Sequence, residues 1–98
     1  MSFIIQLNGA PVTQKVVIAA NAFDNKQFTI VHNQGAEAAG KLLQIETSSL
    51  VYISSVNGNL DANGQFVFTV GPSFDARGNV VLTVEVGNKK KTLEVQFV

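Results

Sequence analysis

Histidine, serine and aspartate are the first side chains in this sequence to test for acid–base, nucleophilic or metal chemistry, and their spacing decides how much of it is open to them. The single histidine, His32, closes the stretch Phe28–His32 on the parity of Phe28 and Ile30. A general base or metal ligand needs an orienting partner or co-ligands. None stands at a recognisable spacing, so His32 reads as a strand-end histidine with a hydrogen-bonded or solvated ring. A serine nucleophile would need a Gly-x-Ser-x-Gly elbow or its own base, and neither occurs. Asp24, Asp61 and Asp75 stand in Phe23-Asp24-Asn25-Lys26, Leu60-Asp61-Ala62-Asn63-Gly64 and Phe74-Asp75-Ala76-Arg77-Gly78. Calcium takes about six to eight oxygens, and each of these turns brings one carboxylate. Asp and Asn cap turns, and Gly accepts positive φ, so all three read as turn chemistry. With no cysteine, disulfides, thiol catalysis, zinc–thiolate sites and iron–sulfur clusters are excluded. No phosphate loop or dinucleotide fingerprint is present. The expectation is no enzyme: no catalytic residue, no cofactor and no metal site.

Lys89, Lys90 and Lys91 form the one charge cluster, directly after Gly87-Asn88. They are the candidate interaction surface, suited to an anionic partner. A solvated hairpin tip whose lysines discourage edge-to-edge aggregation is the alternative. Seven basic and seven acidic side chains leave a formal net charge of zero, without the basic excess that phosphate neutralisation demands of a nucleic-acid binder. Tryptophan is absent, Tyr52 is the one tyrosine, and most phenylalanines fall on apolar faces, so no stacking platform for sugars or bases is evident.

The elements that must position these residues follow from period-two alternation broken by Gly, Asn and Asp. Phe3, Ile5 and Leu7 share a face until Asn8-Gly9, and Pro11 marks a break or an edge. Val16, Ile18 and Ala20 follow, then a turn over residues 21–25, then Phe28 and Ile30. The polar stretch Asn33–Gly40 reads as a loop, in which Glu37-Ala38-Ala39 could form one helical turn. Leu43 and Ile45 restart the alternation, and Leu50–Ile53 is a further run. Phe66, Phe68 and Val70 share a face, as do Val80, Leu82, Val84 and Val86, and then Leu93, Val95 and Phe97. A turn begins at Gly87-Asn88, and antiparallel registers that close it with two or four residues place Leu82 and Val84 opposite apolar partners.

The 98 residues fit one domain, 1–98. Their 46% hydrophobic content leans to Val, Ile and Phe, which favours strands. The fold class is therefore all-β: an antiparallel β-sandwich of seven to eight strands. No spacing admits a βαβ crossover, so no parallel sheet is expected. No stretch reaches the roughly 18–20 apolar residues of a membrane span, and Met1–Gln6 lacks the basic and long apolar regions of a signal peptide. The expectation is no membrane insertion. The setting would be the cell surface if the domain is cut from a longer chain, and otherwise the cytoplasm or a virion.

A set of segments from Val16 to Val98 carries a family likeness. They are Ala22-Phe23-Asp24-Asn25 after an early strand, Ala39-Gly40-Lys41 leading into Leu42–Thr47, and Leu60-Asp61-Ala62-Asn63-Gly64-Gln65 before Phe66–Val70. Gly78 before Val80–Val86 and a last strand Thr92–Val98 complete it. This pattern, about four-fifths of the chain, resembles the bacterial immunoglobulin-like domains of the invasin and intimin type. Gln27–Ala38 is longer than that family's usual connection. The resemblance implies an immunoglobulin-like fold and no catalytic residues. It also implies a rigid spacer in a bacterial surface protein, in some members a receptor-binding surface, and in related modules decoration of phage particles. The functional expectation is a non-enzymatic immunoglobulin-like module for spacing, adhesion or protein–protein contact, its partner a surface receptor or an assembly neighbour. A virion or assembly subunit and a carbohydrate-binding module are the alternatives.

Overall fold

A computed structural model describes residues 2–19, 24–49, 51–73 and 78–98. Ten strands run through them: β1 Phe3–Leu7, β2 Ala10–Pro11, β3 Val16–Ile18, β4 Lys26–His32, β5 Leu42–Thr47, β6 Tyr52–Ile53, β7 Asn57–Asn59, β8 Gln65–Gly71, β9 Gly78–Val86 and β10 Lys89–Phe97. They build two five-stranded sheets, ordered β2-β1-β4-β8-β6 and β3-β10-β9-β5-β7. The result is an immunoglobulin-like β-sandwich. The strands beyond the expected eight are β2 and β7, two and three residues long, which are too short to show alternation. Pro11 lies on the edge strand β2, where its missing N–H costs no ladder bond.

Alternation becomes burial. Phe3, Ile5, Val16, Ile18, Phe28, Ile30, Leu43, Ile45, Phe68, Val70, Val80, Leu82, Val84, Val86, Leu93, Val95 and Phe97 all point into the space between the sheets. Each large apolar side chain taken from water contributes about 1.5–3 kcal/mol. Phe28 and Phe68 are direct cross-strand partners, and their rings stack at 5.5 Å with 23° between planes. Phe66, on the same parity, stays half-buried at the rim beside Gly58, where an added Cβ would strike its ring.

Three sequence expectations change. First, β3 and β10 pair in parallel, Val16 with Val95 through Ile18 with Phe97. The crossover rule applies to strands near one another in the chain; these come from opposite ends and need no local connection. Second, Gly87-Asn88 closes a two-residue hairpin in which Leu82 faces Leu93 but Val84 faces Lys91. Gly87 has φ +59° and Asn88 does not have positive φ, as in a type II′ turn. Val84 is buried by other neighbours, among them Ile45 across β5. Third, the loop after β4 contains a single 3-10 turn, Gly35–Ala38, which drops Ala38 into the core. Of the expected run Leu50–Ile53, Tyr52–Ile53 is strand, and Leu50 lies outside the described residues.

The molecule measures 40 × 22 × 17 Å. The registers place Ser2, the 3-10 turn, Gly64 and the Gly87-Asn88 hairpin at one end of the long axis. Gly71, Gly78 and Val98 lie at the other.

Candidate interaction surface

Of the carboxylates read as turn formers, Asp61 is so occupied. Asp61 Oδ1 accepts the backbone N–H of Asn63 at 2.8 Å and of Gln65 at 2.9 Å. Its own N–H donates to the Gln65 carbonyl at 2.8 Å, and its carbonyl accepts from Gly64 at 3.0 Å. The Asp-Ala-Asn-Gly-Gln turn is thus a self-contained hydrogen-bonded cap. Asp24 pairs with Lys26 at 3.2 Å. Asp75 lies outside the described residues. Among the described residues no three His, Cys, Asp or Glu side chains gather where they could hold a metal ion.

His32 is 5% exposed and ties three segments together. Its N–H donates to the Gly64 carbonyl at 3.0 Å, and its Nδ1 accepts the Gln34 N–H at 3.1 Å. Nδ1 therefore carries no proton. Burial pushes its pKa below the ordinary 6.5, and the positive charges of Lys41 and the N-terminal amine push the same way. Its Nδ1 partner is thus a backbone N–H, not a serine hydroxyl or a carboxylate. The hydroxyls of Ser48 and Ser54 instead accept the backbone N–H groups of Val81 and Thr69, at 3.0 and 2.8 Å. Histidine and serines alike serve the backbone, which is structural work.

Lys89, Lys90 and Lys91 are all exposed at the start of β10. Lys90 lies on the outer face opposite Glu85. Lys89 and Lys91 share the core-facing parity of Leu93, yet the core ends at Leu93 and both reach solvent. Lys91 borders a cleft between the sheets with Ile4, Ile5, Pro11, Val12 and Leu93. None of the three makes an ion pair with a described residue.

The two outer faces differ in a way that sequence reading missed, because it requires knowing which strands are neighbours. The outer positions of the first sheet are Ile4, Gln6, Pro11, Gln27, Thr29, Val31, Gln65, Val67, Thr69 and Tyr52, without a single charge. The outer face of the second sheet carries Glu46, Glu85, Lys90 and Glu94. Charge depletion is the compositional mark of interface cores. Tyr52, half exposed, is the most exposed aromatic side chain among the described residues.

With this geometry the chain matches solved immunoglobulin-like structures. A C-terminal 282-residue fragment of intimin, in complex with the intimin-binding domain of the translocated intimin receptor, superposes with a TM-score of 0.71 and 18% identity. It covers 99% of this chain and 33% of the fragment. Domains 4 and 5 of the S-layer protein SbsC match with a TM-score of 0.59 and 16% identity, over 96% of this chain and 50% of theirs. WR4, a C. elegans MSP family member, matches with a TM-score of 0.62 and 9% identity, over 97% and 98%. The chain thus spans a third to a half of the first two. No family model matches the sequence, and no curated protein does. At these identities the likeness establishes the immunoglobulin-like sandwich and nothing finer.

Proposed function

We propose that residues 1–98 form one non-enzymatic immunoglobulin-like module for spacing, adhesion or protein–protein contact in a bacterial or phage protein. The observation that carries this reading is the division of labour among polar groups. His32, Asp61, Ser48 and Ser54 are all spent on backbone hydrogen bonds, while a five-stranded outer face without charge faces solvent. Intimin's complex with a receptor domain and the S-layer origin of SbsC support a protein partner. A lone half-exposed tyrosine gives little for a sugar to stack on.

Cross-linking mass spectrometry in the source cells or particles tests the reading, beside a glycan array and a general hydrolase panel. Expected are cross-links from this chain to defined protein neighbours and blanks on both panels. Turnover of any hydrolase substrate, or a saturable glycan hit, overturns it. The uncharged face also favours a second reading, an assembly subunit, which concentration-dependent light scattering of the pure chain would distinguish from a spacer.

A further inference from the structure

We propose that the open edge of β10 at Lys90–Glu94 is a docking lane for an extended acidic segment of a partner protein, which joins the second sheet as an added strand. This deepens the protein-contact reading and rests on it.

β9 covers one side of β10 along its whole length, Lys89 to Phe97, but β3 covers the other side only from Val95 to Phe97. Which peptide groups face the uncovered side follows from the hydrogen bonds of β9. The Ser48 N–H donates to the Val81 carbonyl at 3.0 Å, and the Val81 N–H donates to Ser48 Oγ at 3.0 Å. Val81 thus turns its peptide groups away from β10. In an antiparallel pair, directly opposed residues either exchange hydrogen bonds or both point outward. Val81 opposes Glu94, so Glu94 points away from β9, and the period of two places Thr92 and Lys90 with it. The parallel pairing at Val16–Val95 takes up the Glu94 carbonyl. The N–H groups of Lys90, Thr92 and Glu94 and the carbonyls of Lys90 and Thr92 remain, and no turn or loop group among the described residues meets them.

A row of alternate donors and acceptors is what a strand recognises. Thr13, Gln14 and Lys15 stand off from Thr92 and Glu94 around a hollow of about 240 Å³ instead of filling the lane. Side chains turned inward from an added strand would meet the cleft of Ile5, Val12 and Leu93. The charge of the occupant follows from Lys15, Lys89, Lys90 and Lys91, which make no ion pair with a described residue and outnumber the acids near the lane, Glu94 on it and Glu85 and Glu46 beside Lys90 on the outer face. A second copy of this chain fits poorly, since each copy would bring the same excess of lysine over acid to the seam. An acidic strand with alternating apolar residues satisfies backbone, cleft and charge together.

The probe is the peptide acetyl-Glu-Val-Asp-Val-Glu-Val-Asp-amide, with a Lys-for-acid counterpart as control, added to the full chain. Amide hydrogen exchange by NMR should slow at least tenfold at Lys90, Thr92 and Glu94, leaving Lys91 and Leu93, already bonded to β9, unchanged. Thr92→Pro removes an outward N–H and keeps the ladder to β9, so it should weaken binding at least tenfold with the thermal midpoint retained. The variant carrying Lys89→Glu, Lys90→Glu and Lys91→Glu should lose binding, and it decides the matter if Thr92→Pro does not fold. Binding without slowed exchange at the three amides, or unchanged affinity in a folded variant, overturns the proposal. So does self-association abolished by Thr92→Pro, which would give the lane to a second copy. Protein cross-links mapping elsewhere on the chain would sink the lane and leave the protein-contact reading standing.

Discussion

Gly64 packs directly against the backbone carbonyl of Gly35, so closely that a Cβ on Gly64 would overlap that oxygen. Gly64 also holds φ +75°. The contact joins the Asp61 turn to the loop after β4, beside the bond from the His32 N–H to the Gly64 carbonyl. Two penalties therefore fall on one substitution. Gly9 and Gly78 have similar φ, +80° and +76°, but open space around them. Gly9→Ala and Gly78→Ala should each cost about 1–2 kcal/mol from backbone conformation alone. Gly64→Ala should cost about 3 kcal/mol or more, since a backbone carbonyl must also move. Urea midpoints of the three variants check the ordering, and equal values would refute the contact.

The stacked pair Phe28–Phe68 sits at the centre of the first sheet's inner face. Phe68→Ala should cost about 3–5 kcal/mol through lost transfer energy and the cavity left behind. Leu82→Ala, also fully buried, should cost about 2–5 kcal/mol. Phe66→Ala should cost less than Phe68→Ala, because Phe66 is only half-buried. For a domain of this size each kcal/mol moves the thermal midpoint by about 4–8 °C, so a melting series resolves the order.

Asp61 separates turn capping from metal binding. Asp61→Ala removes the acceptor of two N–H bonds and should cost about 1–2 kcal/mol. Asp61→Asn keeps an acceptor oxygen and should cost less. Calcium or a chelator should leave the midpoint of the parent chain unmoved; a calcium-dependent rise would overturn the capping assignment.

His32 should make stability depend on pH in a defined direction. Its folded pKa lies below 6.5, so the unfolded chain takes up the proton first. Stability from this group is fully present above about pH 7 and declines as pH falls through 6.5 towards the folded value. Protonation also removes the acceptor that Nδ1 offers Gln34. Urea midpoints at pH 7.5, 6.5 and 5.5 should fall in order, and His32→Gln should flatten that slope. A parent slope matched by His32→Gln would show that other groups carry it.

The legibility of this protein divides along the strands. Phe66–Val70, Val80–Val86 and Leu93–Phe97 alternate strictly, and every expected inward position except Phe66 is fully buried. His32, read on the parity of Phe28 and Ile30, is buried with them. β2 and β7 escaped because two or three residues carry no period. The Lys91–Val84 pairing escaped because hydrophobic matching favoured an apolar partner, whereas the two-residue Gly87-Asn88 turn sets the register. The lysine cluster was visible as charge, but not the uncovered peptide groups beside it, which exist only because β3 stops at Val16.

What the sequence determined by itself was local: which residues face inward, where the chain turns, and that it holds no cysteine and a single histidine. Period-two alternation and turn residues act over a few positions, and one chain contains all of that information. The tertiary structure alone decided what depends on strand neighbours. It set β3 parallel to β10, pressed Gly64 against Gly35, gathered ten uncharged positions on one outer face, and left Lys90–Glu94 as an open edge. Each of these joins residues distant in sequence, and no local periodicity encodes which distant strand supplies the partner.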